Sequence, residues 1–366
     1  MIKKRPTVII GLSGGIDSAV AAMLLKHQGY NLIGLFIHLW ADSVEGKKQT
    51  LNKCCSLETQ MRAKAVCDQL QIPFHIADFS QDFKQHVVDY FIASYQQGIT
   101  PNPCIECNRM IKFGFMLKTL QQYGADLFAT GHYARIIQDT QGIYHLLQGR
   151  DRTKDQTYFL YTLTQKQLAK IIFPLGELQK TEVKKMAQQL QIPSFNNQYQ
   201  ESQNLCFFPE DTPEEFLKRY LPLPYQQPGP IKTLRGETIG EHKGLFRYTI
   251  GQRKSIEIGG QETPLYVIQL SMKDNTLIVG EEKDLYTSSC LVTSTTFISG
   301  RHPKKMNNLL IKTRYTRTPA KGDIEQCNDH YTITFHQPVR AITPGQSAVF
   351  YRDEEIIGGG IITTEL

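Results

Sequence analysis

At 366 residues with a net charge of +6, the chain is long enough for two or three domains and only mildly basic, so bulk charge alone does not mark a nucleic-acid binder. No apolar run approaches a membrane span, and Val8-Ile9-Ile10 behind Lys3, Lys4 and Arg5 is too short for a signal peptide. Eight cysteines over this length, without a secretion signal, read as reduced thiols in a cytoplasmic protein rather than as a disulfide framework.

The chain opens on the apolar run Val8-Ile9-Ile10, the small-residue loop Gly11-Leu12-Ser13-Gly14-Gly15-Ile16-Asp17-Ser18, and an alanine- and leucine-rich helix from Ala19 to Leu25. This strand–loop–helix layout points backbone N–H groups and a helix dipole at one spot, where an anion is held. Gly14 and Gly15 admit close backbone approach to a phosphate, Ser13 and Ser18 add hydroxyl donors, and either Ser13 or Asp17 is placed to cap the helix. No Gly-Lys-Ser/Thr closes the loop. A carboxylate inside it calls for a cation between it and the phosphates, and Mg²⁺ near Asp17 is the expectation.

Strands are expected at 32–39, 74–77 and 127–132, with helices at 56–70, 79–97 and 109–123 between them. The alternation predicts an α/β fold with a doubly wound parallel sheet, whose carboxyl edge gathers Gly11, Ile37-His38 and Gly131-His132. A hairpin at 135–148, a mixed helical region from 154, an amphipathic helix at 180–190, a short apolar piece at 203–208 and a helix at 212–220 complete this part. Pro222, Pro224, Pro228 and Pro230 then mark a boundary. Short strands and Gly turns dominate beyond it, giving domains at 1–221, 222–283 (a small β-rich module) and 284–366 (a β-barrel).

Cys104 and Cys107 form a Cys-x-x-Cys in the proline-punctuated loop 100–108, just ahead of a helix, where a thiol pKa is lowered. Zinc would need a second close pair, and Cys54-Cys55 is too tight for the usual chelate. Cys67, Cys290 and Cys327 read as core, whereas Cys206 follows the polar Glu201-Ser202-Gln203-Asn204 and reads as accessible.

The run Ser13-Gly14-Gly15-Ile16-Asp17-Ser18 resembles the signature of the PP-loop ATP pyrophosphatases, which cleave ATP to AMP and pyrophosphate. Further on come Pro101-Asn102-Pro103 with Cys107-Asn108, Ala129-Thr130-Gly131-His132-Tyr133-Ala134-Arg135, Lys154-Asp155-Gln156 and Ser202-Gln203-Asn204-Leu205-Cys206-Phe207, in that order. With Pro344-Gly345-Gln346 and Gly358-Gly359-Gly360 near the end, the set resembles the bacterial tRNA-uridine 2-sulfurtransferases over nearly the whole chain. That resemblance implies ATP-dependent adenylation of the C2 oxygen of a wobble uridine, with Mg²⁺. The tRNA substrates would be of the Lys, Glu and Gln type. Sulfur would arrive as a persulfide on Cys206, from a cysteine desulfurase or relay protein, with Cys107 as partner nucleophile. It places adenine at Ile37 and Gly131, phosphates on Gly11 to Ser18, and the target base at Asn102, Pro103 and Cys104. tRNA contacts fall at His132, Lys154, Asp155, Gln156, Arg314, Tyr315 and Gln346. Many members have Asp where this chain has Cys104, which leaves the proton-transfer role unassigned.

Two routes stay open for the thiols: persulfide chemistry on Cys107 and Cys206, or a [4Fe–4S] cluster on Cys104, Cys107 and Cys206. Competing functions are another PP-loop enzyme, such as a different tRNA thiolase or an amide-forming synthetase. From 285 to 322 there is no Asp or Glu, while Arg301, Lys304, Lys305, Lys312, Arg314, Arg317 and Lys321 occur. Such a strip suits tRNA phosphates, with Tyr315 able to stack on an unpaired base.

Overall fold

The computed structural model describes residues 5–40, 42, 56–190, 205–208, 210, 212–256, 258 and 263–363. Cys54-Cys55 and Ser202-Gln203-Asn204 lie outside the described residues. The opening apolar run forms β1 (Thr7–Leu12), with Val8, Ile9 and Ile10 at most 1% exposed, as a strand covered on both faces requires. It pairs in parallel with β2 (Asn31–His38), which pairs with β3 (Phe74–Asp78); on its other side lie β4 (Leu127–Ala129) and, beyond two strands treated below, the short β7 (Ile171–Ile172). The order β3-β2-β1-β4-β7 reverses direction between β1 and β4, and that switch point opens a crevice at the strands' carboxyl ends.

Helix α1 (Ile16–His27) lies close to the sheet because Ala19, Val20, Ala21 and Ala22 are small and buried. Helix α2 (Leu57–Leu70) is capped by Ser56, whose hydroxyl accepts from the Thr59 N–H at 3.2 Å. Its Cys67 is wedged against Gly34 of β2, and burial pushes the thiol up to about 12, so this cysteine is packing material. Helix α3 spans 80–96, with a π turn at Lys84–Val88.

Helix α4 spans 103–119 and is π-helical over Cys107–Phe115. It begins six residues before the expected 109. Pro103 occupies the first helical position, where its fixed φ and missing N–H cost nothing. Cys104 and Cys107 therefore stand on the first two turns of a helix, not in the loop ahead of it. Helices α5 (Lys180–Gln189) and α6 (Pro213–Tyr220) fall where the sequence periodicity puts them.

The hairpin β5 (Ala134–Gln138) and β6 (Tyr144–Gln148) leaves the parallel sheet altogether and pairs through Leu146 and Leu147 with a strand more than 200 residues later. Four strands, β8 (Gly229–Thr233), β9 (Thr238–His242), β10 (Tyr266–Ser271) and β11 (Thr276–Gly280), make a small sheet around Ile231, Val267, Leu277 and Val279. The remaining six are β12 (Tyr286–Phe297), β13 (Lys305–Lys312), β14 (Ala320–Cys327), β15 (His330–Arg340), β16 (Ser347–Arg352) and β17 (Glu355–Thr363). Pairing of β12 with β17 closes them into an antiparallel barrel, which removes sheet edges. Cys327, expected in its core, is exposed at the end of β14, while burial pushes the Cys290 thiol up to about 12. Among the described residues no helix is long and apolar enough to cross a membrane.

Barrel and parallel sheet share one core. Tyr158 donates to the Ser347 carbonyl at 2.9 Å, the Tyr161 and Ser347 hydroxyls meet at 3.1 Å, and Glu354 holds Arg135 at 2.7 Å and Arg152 at 2.9 Å.

Candidate active site

A cavity of about 390 Å³ opens at the switch point. One wall is the loop after β1, contributing Gly11, Leu12, Ser13, Asp17 and Ser18; Ile37 from β2 and Gly131-His132 after β4 stand beside it. Helix α4 lines the same cavity with Pro103, Cys104 and Cys107, and Cys206 lines it too.

The loop is built for an anion. Its helix is capped by Gly15 with no side-chain cap, so neither Ser13 nor Asp17 occupies the first-turn N–H groups. Ser18 stitches the loop, donating to the Gly15 carbonyl at 3.0 Å and accepting from the Ser13 N–H at 3.2 Å. Gly14 has φ +73°, and a Cβ there would stand 2.3 Å from the Thr59 carbonyl oxygen. A Cβ on Gly131 would stand 2.8 Å from the Asp17 carbonyl carbon, so the β4 turn lies directly on the loop. Ile16 is the buried first residue of α1.

Asp17 already has a cation. Lys180 at the start of α5 places its Nζ 2.6 Å from Asp17 Oδ1, and the Tyr133 hydroxyl donates to the same oxygen at 2.8 Å. Sequence reasoning missed Lys180, although a lysine in the first turn of a helix, against the dipole, is the kind of misfit that signals a distant partner. A single carboxylate suits Mg²⁺ that is bound mainly through nucleotide phosphates.

The thiols are fixed by different means. Cys206 precedes Phe207 and Phe208, both about 1% exposed. Phe207 packs on Phe83, Phe91 and Phe216 at ring distances of 6.0, 5.3 and 5.5 Å, and each buried phenylalanine is worth roughly 1.5–3 kcal/mol. Cys107 is buried and Cys104 exposed. All three line the cavity. Among the described residues no three His, Cys, Asp or Glu side chains converge to hold a metal.

His132 is half-buried, its Nδ1 2.7 Å from the Thr130 hydroxyl and its ring against Phe113 and Phe173. Burial, with help from the Lys112 charge, holds its pKa well below the usual histidine range, so it is neutral at pH 7. Gln156 lines the cavity and its Oε1 accepts from the Tyr133 N–H at 3.1 Å. Asn102 is the N-cap residue of α4, and Lys154 sits half-buried in the turn after Asp151.

Four expected tRNA contacts face inward. The Asp155 carboxylate is buried, accepting from Gln148 Nε2 at 3.1 Å, the Gly149 N–H at 3.1 Å and the Thr157 hydroxyl at 2.9 Å. The Arg314 guanidinium donates to the Ile250 carbonyl at 2.9 Å and to the Thr343 hydroxyl, and burial lowers its pKa. Tyr315 packs on Phe159 at 4.5 Å. Gln346 Nε2 donates to the carbonyls of Thr100 at 2.9 Å and Pro101 at 3.3 Å, bracing the strap that leads into α4. In the basic strip, Lys304 and Lys305 are exposed at one end of β13 and Arg317 half-buried beyond the other; Lys305 pairs with Glu325 at 2.9 Å.

Fold and loop define a nucleotide-binding protein of the HUP class. Residues 6–210 match the family described as a tRNA methyl transferase HUP domain, 214–281 a tRNA methyl transferase PRC-barrel domain, and 287–362 an aminomethyltransferase beta-barrel domain. The chain is 40% identical over 97% of its length to the tRNA-specific 2-thiouridylase MnmA of Chloroflexus aurantiacus, covering 98% of that protein. It is 41% identical over 98% of its length to the protein of the same name from Streptococcus mutans, covering 95% of it. The chain belongs to the tRNA-specific 2-thiouridylase family.

Proposed function

We propose that this chain converts a uridine of tRNA to 2-thiouridine with ATP and a persulfide, in two half-reactions at one cavity. The observation that carries the reading is the placement of Cys107 and Cys206, far apart in sequence, on the same cavity as the anion-holding loop. Methyl transfer, named in the family descriptions, would leave both thiols idle.

In the first half-reaction the uridine O2 attacks the α-phosphorus. The O2–P bond forms, the bond to the bridging oxygen breaks, pyrophosphate leaves and the N3 proton is lost to a base. The loop N–H groups at Gly14 to Ser18 hold phosphates, the Ile37 and Gly131 backbone faces adenine, and Lys180 neutralises Asp17 so that it does not repel the nucleotide. Asp17, with the nucleotide phosphates, would hold Mg²⁺, which would supply charge neutralisation. In the second, the terminal sulfur of a Cys206 persulfide bonds to C2. The Cys107 thiolate takes Cys206 Sγ, breaking the S–S bond, and AMP departs with the former O2. A Cys107–Cys206 disulfide results, and an external thiol must reduce it by two electrons. Asn102, Pro103 and Cys104, at the start of α4, border the target base, and His132, Lys154 and Gln156 contact tRNA. The substrates are tRNAs with a wobble uridine, of the Lys, Glu and Gln type, and the sulfur donor is a persulfide-carrying protein.

The test is mass spectrometry of tRNA nucleosides after incubation with ATP and a persulfide donor, with AMP and pyrophosphate measured in parallel. Thiouridine matched by AMP and pyrophosphate is expected, and lost in Cys206→Ser. ADP and phosphate as the products would refute the assignment.

A further inference from the structure

Charge at the cavity is unevenly supplied. Among the described residues that line it, one lysine and no arginine is present, and that lysine is Lys112. His132, the cavity's other basic group, is neutral near pH 7, and Lys180 is engaged with Asp17. A polyanion entering this cavity therefore meets a single fixed side-chain cation on its wall.

Lys112 faces inward because α4 is not a regular helix there. In an α-helix it would stand about 140° around the axis from Cys107, at 100° per residue. Over Cys107–Phe115 the hydrogen bonds reach five residues instead of four, so side chains four and five apart share a face. Cys107, Asn108 and Lys112 thus form one stripe on the cavity wall. Gly114 builds this geometry in, since a Cβ there would stand 2.8 Å from the Arg109 carbonyl oxygen. Asn108 adds stiffness by donating to the Phe159 carbonyl at 3.1 Å. The stripe lines the same cavity as the phosphate loop and Cys206, and the phosphorus bonded to both nucleoside and uridine has to sit in that cavity.

We propose that Lys112 is a catalytic residue whose ammonium contacts the α-phosphate in both half-reactions, rather than a residue of the thiol pair. The inference rests on the reaction given above. As uridine O2 bonds to the α-phosphorus and pyrophosphate leaves, charge gathers on the non-bridging oxygens; it does so again when AMP departs from C2. A cation fixed in advance lowers both barriers.

The experiment compares wild type with Lys112→Met, which keeps the stem, and Lys112→Arg, which keeps the charge. Single-turnover pyrophosphate release and thiolation are measured at saturating ATP and tRNA, using each diastereomer of ATP carrying sulfur on the α-phosphate. Lys112→Met is expected to lose about 100- to 1000-fold in both steps with unchanged melting temperature and tRNA affinity. Lys112→Arg recovers part of this, and the preference between diastereomers shrinks in Lys112→Met. Calorimetry adds a readout independent of turnover: Lys112→Met loses preference for AMP over adenosine. Wild-type rates in Lys112→Met, or a loss that leaves both preferences intact, would overturn the proposal. If wild type releases no pyrophosphate, the reaction assignment fails, and the AMP preference still decides Lys112.

Discussion

Replacing Lys180 by Met removes the cation 2.6 Å from Asp17 Oδ1 and leaves that carboxylate, among the described residues, with the Tyr133 hydroxyl. The lysine side chain is 8% exposed and the aspartate 32%. Breaking a buried pair from one side costs about 3–5 kcal/mol, and partial rehydration of Asp17 puts this case near the lower end. For a unit of this size, about 3 kcal/mol lowers the melting temperature by roughly 6–12 °C. Asp17→Asn takes the carboxylate away from a buried ammonium and costs stability too, whereas Asp17→Asn with Lys180→Met removes both charges. The double variant should be more stable than the sum of the singles by upwards of about 1 kcal/mol. ATP binding follows the same logic: the unpaired carboxylate in Lys180→Met repels phosphates, weakening affinity about 10- to 100-fold, and Asn at 17 restores part of it. Thermal melts and calorimetry with ATP on the four proteins test this. Additive penalties, or wild-type ATP affinity in Lys180→Met, would refute the coupling.

Gln346→Ala should slow thiolation while leaving tRNA affinity unchanged, because its amide braces the Thr100 and Pro101 carbonyls; weakened tRNA binding at an unchanged rate would point to a direct contact instead. Arg314→Ala should lower the melting temperature, since its guanidinium ties Ile250, in the turn between β9 and β10, to Thr343, between β15 and β16. Removing Lys304, Lys305 and Arg317 together should instead flatten the salt dependence of tRNA binding by about one unit per lost phosphate contact, as seen in titrations at several salt concentrations. His145 has its pKa raised by Glu355 at 2.6 Å and then by Asp139. Its contribution to the β6–β17 seam is therefore full below the unfolded histidine pKa and lost as pH rises through the higher folded value. The melting-temperature gap between wild type and His145→Gln should close toward alkaline pH.

The parallel sheet was legible because buried strands are continuous apolar runs and the loop after β1 has a composition few other structures use. The start of α4 was misread for a local reason: Pro101 and Pro103 both suggest a loop, yet only the position of Pro103 within the first turn decides. The hairpin β5–β6 was visible as two strands, but period-two alternation names a face and not a partner, so its pairing with β17 was hidden. The same limit applies to side chains. Arg314 in an acid-free strip looks like surface until the fold turns it onto Ile250. Lys180 and Asp17, 163 residues apart, meet only through the packing of α1 and α5.

The barrel also supports the cavity, and a truncation tests this. Ending the chain before β12 would strip cover from Tyr158 and Tyr161, both at most 2% exposed, and remove their Ser347 partners. It would also unstack Tyr315 from Phe159, a residue of the cavity wall, and release Thr100 and Pro101 from Gln346 just ahead of Pro103. Each large apolar side chain exposed costs roughly 1.5–3 kcal/mol, so Tyr158, Phe159 and Tyr161 together use up much of the roughly 5–15 kcal/mol by which native proteins are typically stable. The truncated chain should therefore fail to hold ATP, even though the phosphate loop lies wholly outside the barrel. Calorimetry with ATP on the soluble truncated chain is the measurement. Wild-type ATP affinity there, with only tRNA binding lost, would mean that the barrel serves recognition alone and that the cavity stands without its support.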